Sequence, residues 1–422
     1  MKSFFIGLGA LILGAVAGVF IYTSFFVPPT DVMARVAALE GERDYFFQSA
    51  SEVFPTRTVS RDESAEPLPE NLTALEGFSY AYDGRTRTLA DMYTDMETSG
   101  LIILHQGEIV HESYGRGADA STSFTTWSLV KSITSTLVGM AIADGHIQSV
   151  EDTLVTYLPE LTGTAYDGVT IKQALQMSSG IRYDPKLWEG RMDDTVKVLT
   201  DSVITGKRRL FDMAIEFKRE QEPGTDFNYN TAESQVLLEL VRRATGMDAA
   251  DYLQESLWRP LGMSHDAAWV LDRPGPDGAE IGGALFNAAL RDWARFGLFI
   301  EQEGRWEGKQ LLPEDWVDRA TVSDEAHLQP GEVHPNPTRG YAWHWWTYEN
   351  GNFTASGANG QSLYIDREND LVVARASAWP EGYVRAYDDQ TVVLYEALAD
   401  WAQERTALAS ISAEPVETIT QD

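Results

Sequence analysis

The chain has no cysteine in its 422 residues. That absence removes disulfides, thiolate metal sites and cysteine nucleophiles, and leaves oxygen or nitrogen to do any covalent chemistry. Cations are scarce too, with 33 Lys and Arg against 64 Asp and Glu and a formal net charge of -31. A field of that sign repels phosphate backbones and argues against nucleic acid as a partner. The seven histidines, at 105, 111, 146, 265, 327, 334 and 344, form no H-x-x-x-H or H-x-H pair. Without such a pair a zinc hydrolase has no ligand set, and without a G-x-S-x-G elbow a Ser-His-Asp hydrolase of the α/β type has no nucleophile turn. No metal or cofactor is called for.

Apolar residues are plentiful, at 43% hydrophobic and 11% aromatic, enough for one large domain or two intermediate ones. Residues 4–27, FFIGLGALILGAVAGVFIYTSFFV, form an uncharged run behind Lys2. In a helix, at about 1.5 Å per residue, a run of this length crosses a hydrocarbon core of roughly 30 Å. We expect residues 1–27 to be an uncleaved transmembrane anchor that places the body outside the cytoplasm, in the periplasm. The alternatives are a signal peptide cleaved after Ala15-Val16-Ala17, which gives a secreted protein, and a buried helix.

Residues 28–75 are rich in charge, Ser and Pro and read as a stalk or lead-in. The end, residues 406–422, is small, polar and acidic, and reads as a disordered tail. Between them lies a body, 76–405, without repeats. GLIILHQGEIVHESYG reads as a hairpin turning at Gln106-Gly107, and YAWHWWTY, SLYID and LVVARASA read as further antiparallel strands. Helical patterns occupy 128–144, 170–177, 232–245, 290–302, 313–320 and 387–405. The expected fold is α+β: an antiparallel sheet built from both chain ends, flanked by N- and C-terminal helices, with an inserted helical subdomain.

Three segments carry chemistry. In FTTWSLVKSITSTLVGMAIADGHI, Ser128 and Lys131 share one face of the first turn of an apolar helix. A buried ammonium loses its proton more easily, and a hydroxyl at a helix N-terminus sits where N–H groups favour developing negative charge. The plainer alternative is an N-cap serine with a solvated lysine. In PGTDFNYNTAESQVLLELV, Tyr229 precedes a helix opened at Thr231. A tyrosine beside a lysine serves as a general base when the positive charge favours phenolate, and is otherwise a core residue. In FTASGANGQSLYID, small residues at a strand edge let a substrate approach, and a strand-edge N–H can stabilise an oxyanion; otherwise this is a bulged hairpin.

In this order the segments resemble the serine β-lactamase and penicillin-binding superfamily, in the branch of class C-like esterases and 6-aminohexanoate-dimer hydrolases. The resemblance extends over 76–405 and includes QALQMSSGIRYD and the double glycine and Asp-x-x-Arg-Phe-Gly of GGALFNAALRDWARFG. It implies an acylated nucleophile Ser128, a base or proton relay Lys131, a proton shuttle Tyr229, and an oxyanion hole from the backbone N–H groups of Ser128 and Ala358. It implies a small-molecule or peptide-like acyl donor, with Tyr183, Trp188, Thr231, Gly357 and Arg375 and the 324–338 loop as candidate substrate contacts.

Two departures stand out. The family's Tyr-x-Asn ends here in Thr231, and its Lys-Thr-Gly or His-x-Gly reads Ala355-Ser356-Gly357, without a cation. A lost charge-assisted hydrogen bond of about 1.5 to 3 kcal/mol weakens the binding of a carboxylate next to the scissile bond. Hydrolysis of a neutral or cationic amide or ester is therefore expected over strong β-lactamase or D,D-peptidase activity, with Arg375 as the group able to restore carboxylate binding. The competing function is a catalytically silent protein on the same fold, binding peptidoglycan or a partner.

Overall fold

Gln106 and Gly107 have φ of +52° and +77°, the pair of left-handed residues that a tight hairpin turn needs to match strand twist. They join Thr98–His105 to Glu108–Tyr114. Residues 42–184, 194–333 and 338–413 are described by this computed structural model. The two strands form one edge of a seven-stranded antiparallel sheet. From the other edge its order is Gly340–Tyr341, Trp346–Thr347, Phe353–Gly357, Gln361–Asp366, Leu371–Ser377, Thr98–His105, Glu108–Tyr114. Leu371–Ser377 pairs with Thr98–His105, so the sheet is closed by strands from the two halves of the chain.

Both faces of this sheet are covered. On one lies the helix Leu290–Glu301, at a distance only glycine permits: a Cβ on Gly297 would lie 2.5 Å from Val372 and 2.7 Å from Leu363. On the other lies the helix Arg385–Ala413, with Leu394, Tyr395 and Leu398 packed on Leu101, Ile103 and Val373. The helical region is inserted between the two sets of strands. Its centre is the helix Val130–Ala143, buried from Val130 to Ala141, against the helix Thr231–Thr245. Its Lys131, Ser132, Thr134 and Thr136 can be enclosed because each bonds a partner inside the fold. A second sheet, in the order Thr56–Val59, Ala267–Val270, Phe286–Ala289, Ser123–Thr125, supports the start of that helix. The expected α+β architecture is thus the one observed.

The outer segments differ from expectation. Within 28–75, Glu42–Val53 is a helix whose Phe46, Phe47 and Ala50 pack with Ala378 and Trp127, and Thr56–Val59 pairs with Ala267–Val270. From Glu42 on, this stretch is part of the body, not a stalk, and 28–41 lie outside the described residues. A few aromatic residues carry its burial, while its charges are paired across the fold, Arg43 with Glu97 and Arg57 with Asp248 and Glu280. The last helix continues to Ala413, past the expected tail boundary at 405, and 414–422 lie outside the described residues. The run at 4–27 also lies outside them; among the described residues no helix is long and apolar enough to cross a membrane.

Candidate active site

Trp127 sets the nucleophile. Its φ is +46°, a left-handed conformation that costs a bulky residue about 1 kcal/mol or more and persists only if its surroundings hold it. Phe46 and Phe47 do so, with ring centroids 6.1 and 5.8 Å from the indole. The bend places Ser128 in a single 3-10 turn, Trp127–Leu129, that runs straight into the helix Val130–Ala143.

Lys131 follows on the same face. Its Nζ donates to Ser128 Oγ at 3.0 Å, to Thr231 Oγ1 at 3.3 Å and to the Gly283 carbonyl at 2.6 Å. The residue is 2% exposed, and among the described residues no carboxylate pairs with it. Burial without a counter-charge brings its pKa down to about 7. Thr231, where the resemblance would place an amide, meets the lysine through its hydroxyl, and Asn230 caps the helix Thr231–Thr245 by accepting from the N–H groups of Ala232 and Glu233. Gly282 and Gly283 are the double glycine of the resemblance, and packing requires both. A Cβ would lie 2.3 Å from the Ser234 carbonyl at Gly282 and 2.7 Å from Thr231 Cγ2 at Gly283, so larger residues would push this carbonyl away from Lys131.

Tyr229 lines the same cavity as Ser128 and stacks on Trp346 at 5.6 Å, with Lys131 Nζ 5.0 Å from its ring centroid. The sequence suggested a phenolate favoured by the lysine. Burial outweighs that attraction and drives the tyrosine above its ordinary value, so the group is a neutral phenol at pH 7. A proton donor or relay is available here, not a resident base.

The strand Phe353–Gly357 ends against the nucleophile turn, where Gly357 and Ala358 line a cavity of about 120 Å³ together with Ser128, Tyr229 and Trp346. Ala355 does not line it. Strand alternation turns Ala355 into the main core, 1% exposed, while Thr354 and Ser356 face the cavity. Arg375 does line it, from two strands away, and so does Arg339, which the sequence did not single out. Tyr183 is elsewhere: it is buried in the core, bonds Thr195 at 2.9 Å and packs on Phe217. Of the 324–338 loop, Leu328 and Val333 pack beneath Phe227 and Tyr341. Trp188 lies outside the described residues. No group of acidic and histidine side chains suited to a metal occurs among the described residues.

A comparison with known families decides the affiliation. The Beta-lactamase family profile matches residues 86–397. The chain belongs to the Beta-lactamase family. A 6-aminohexanoate-dimer hydrolase from Paenarthrobacter ureafaciens is 30% identical over 346 residues, covering 79% of this chain and 85% of that protein. The structure of a Bacillus anthracis protein provisionally assigned as a 6-aminohexanoate-dimer hydrolase matches with a TM-score of 0.74 at 25% identity, over 87% of this chain and 95% of that one. A family VIII carboxylesterase shares the fold at 18% identity and a TM-score of 0.56, over 74% and 95% of the two chains. This member of the family is a hydrolase.

Proposed function

We propose that this β-lactamase-family hydrolase cleaves an amide or ester through an acyl-enzyme on Ser128. The observation that carries the reading is the 3.0 Å contact between Lys131 Nζ and Ser128 Oγ, made by a lysine whose pKa burial has brought to about 7. Near neutrality about half of such a group is an amine, able to take the serine proton as Oγ attacks the carbonyl. The negative charge that develops on the substrate oxygen falls to the N–H groups of Ser128 and Ala358. Tyr229, held as a phenol against Ser128, passes a proton to the leaving group and is resupplied by Lys131. Water then attacks the ester on Ser128, with the same groups acting in reverse.

The relatives named for 6-aminohexanoate dimers support linear amides of that kind as substrates, and the carboxylesterase neighbour supports simple esters. Nitrocefin and D-Ala-D-Ala peptides carry their carboxylate next to the scissile bond, and the strand segment Phe353–Gly357 beside Ser128 contributes no cation there. The test is turnover of p-nitrophenyl esters, 6-aminohexanoate oligomers, nitrocefin and D-Ala-D-Ala peptides by the protein and by Ser128→Ala. Ester or oligomer hydrolysis above nitrocefin hydrolysis, lost in Ser128→Ala, is the expected result. No turnover of any of them, with no adduct on Ser128, would leave a silent binding protein.

A further inference from the structure

We infer that the inner end of the Ser128 cavity is a carboxylate-binding chamber built on Arg375 and Arg339, so that the preferred acyl donor carries a free carboxylate several bonds from the scissile carbonyl. This inference rests on the proposed hydrolysis at Ser128 and names the substrate class for it.

Arg375 is 1% exposed and lines the cavity. Its Nη1 donates to Thr391 Oγ1 at 2.7 Å, and its guanidinium lies 5.3 Å from the Trp379 ring centroid. Its Nε is buried with no partner, and among the described residues no carboxylate pairs with it. A lysine in such a place sheds its proton, as Lys131 does, but a guanidinium stays charged and needs an anion. Arg339, 6% exposed, is paired with Asp388 at 2.5 Å, lies 5.2 Å from the Tyr348 ring and reaches Ser356 Oγ at 3.5 Å. Asp388 also accepts from Tyr383 at 3.2 Å. The chamber therefore holds two guanidinium groups and one carboxylate. One positive charge is left over, buried, in a chain whose net charge is -31.

A single surplus charge suits a monoanion, and the planar fork of Arg375 matches a carboxylate in particular. The walls suit the rest of the ligand: Trp379, Tyr348 and Tyr395 offer aromatic surface to a methylene chain. Reach is consistent as well. Arg375 sits on Leu371–Ser377, two strands from Phe353–Gly357, which at a spacing of about 4.8 Å is roughly 10 Å from the strand beside Ser128. The carboxylate it receives is thus separated from the reacting carbonyl. This replaces the expectation, drawn from Ala355, that acids are not favoured.

The test compares mono-4-nitrophenyl glutarate with its methyl ester on the full chain, in wild type, Arg375→Met and Arg375→Lys, with thermal unfolding confirming that each variant folds. Wild type should favour the acid in kcat/KM by about tenfold to a hundredfold, the range a charge-assisted hydrogen bond supplies. In Arg375→Met the ratio should fall to about one, and Arg375→Lys, which keeps the charge without the fork, should keep a reduced preference. Equal use of acid and methyl ester by wild type, or a preference that survives in Arg375→Met, would overturn the chamber while leaving the hydrolase reading intact. Turnover of neither ester would instead count against hydrolysis. The chamber is then judged by calorimetry with hexanoate: saturable binding lost in Arg375→Met supports it, and no binding to wild type overturns it.

Discussion

The carbonyl oxygen of Thr126 occupies the space that a side chain on Gly357 would need, 2.2 Å from where a Cβ would stand. The end of the strand Phe353–Gly357 and the turn that presents Ser128 are thus in direct backbone contact, and Gly357 is needed for that approach, not for its φ of -118°, which any residue adopts. Gly357→Ala should separate the two segments and lower both stability and activity. Overpacking of this kind costs about 1–3 kcal/mol, so a fall in kcat/KM of at least about tenfold is expected together with a lower Tm. A variant with wild-type kinetics would show that the N–H of Ala358 is not held in place by this contact.

The pH profile should report Lys131. Its neutral form is the active one and its pKa is about 7, so kcat/KM should rise about tenfold per pH unit below that value and level off above it. Tyr229, pushed up by burial, should add no second limb in the accessible alkaline range. A profile flat from pH 5 to 9 would remove Lys131 from the role of base.

The same lysine should cost stability. Its folded pKa is depressed from 10.5 to about 7. Below that value the folded protein carries a buried ammonium, and between the two values the unfolded chain binds more protons, so stability rises with pH. The shift corresponds to at most about 4–5 kcal/mol, before subtracting the lysine's own hydrogen bonds. Lys131→Met should therefore be inactive yet melt above wild type at pH 6, with the gap narrowing by pH 9. A variant that melts below wild type at pH 6 would mean that the contacts to Gly283 and Thr231 outweigh the desolvation.

Lys131 bonds Ser128, Tyr229 lines the same cavity with the Lys131 ammonium 5.0 Å from its ring, and the two should act as one unit. If Lys131→Ala and Tyr229→Phe each lower kcat by orders of magnitude, the double variant should be little worse than either. Effects that multiply would separate their proton paths.

Much of this site was legible in the sequence because its chemistry is local. Ser128 and Lys131 stand one helical turn apart, and the hairpin at Gln106-Gly107 turns on a glycine, the residue that left-handed backbone favours. Of the arginine chamber, Arg375 alone stood out in the sequence, as a group able to restore carboxylate binding, while its surroundings did not. Arg375, Arg339, and the pair Asp388 and Thr391 come from a strand, a loop and the last helix, and no period or spacing links them. The state of Tyr229 was misjudged for a related reason: the lysine beside it is visible in sequence, whereas the desolvation imposed by Trp346 and Tyr341 depends on the fold. Tyr183 lies close to the motif in sequence, but its side chain turns to Thr195 and Phe217. The segment before residue 76 looked like a stalk because Phe46, Phe47 and Phe54 are sparse among charges, although together they hold Trp127 in place.

The most direct measurement is mass spectrometry of the protein after treatment with a fluorophosphonate. A single adduct should appear on the peptide containing Ser128, absent in Ser128→Ala and formed more slowly at pH 5.5 than at pH 8 as Lys131 takes up its proton. Labelling that persists in Ser128→Ala, or an unlabelled Ser128 in a protein that turns over p-nitrophenyl esters, would contradict the assignment of Ser128 as the nucleophile.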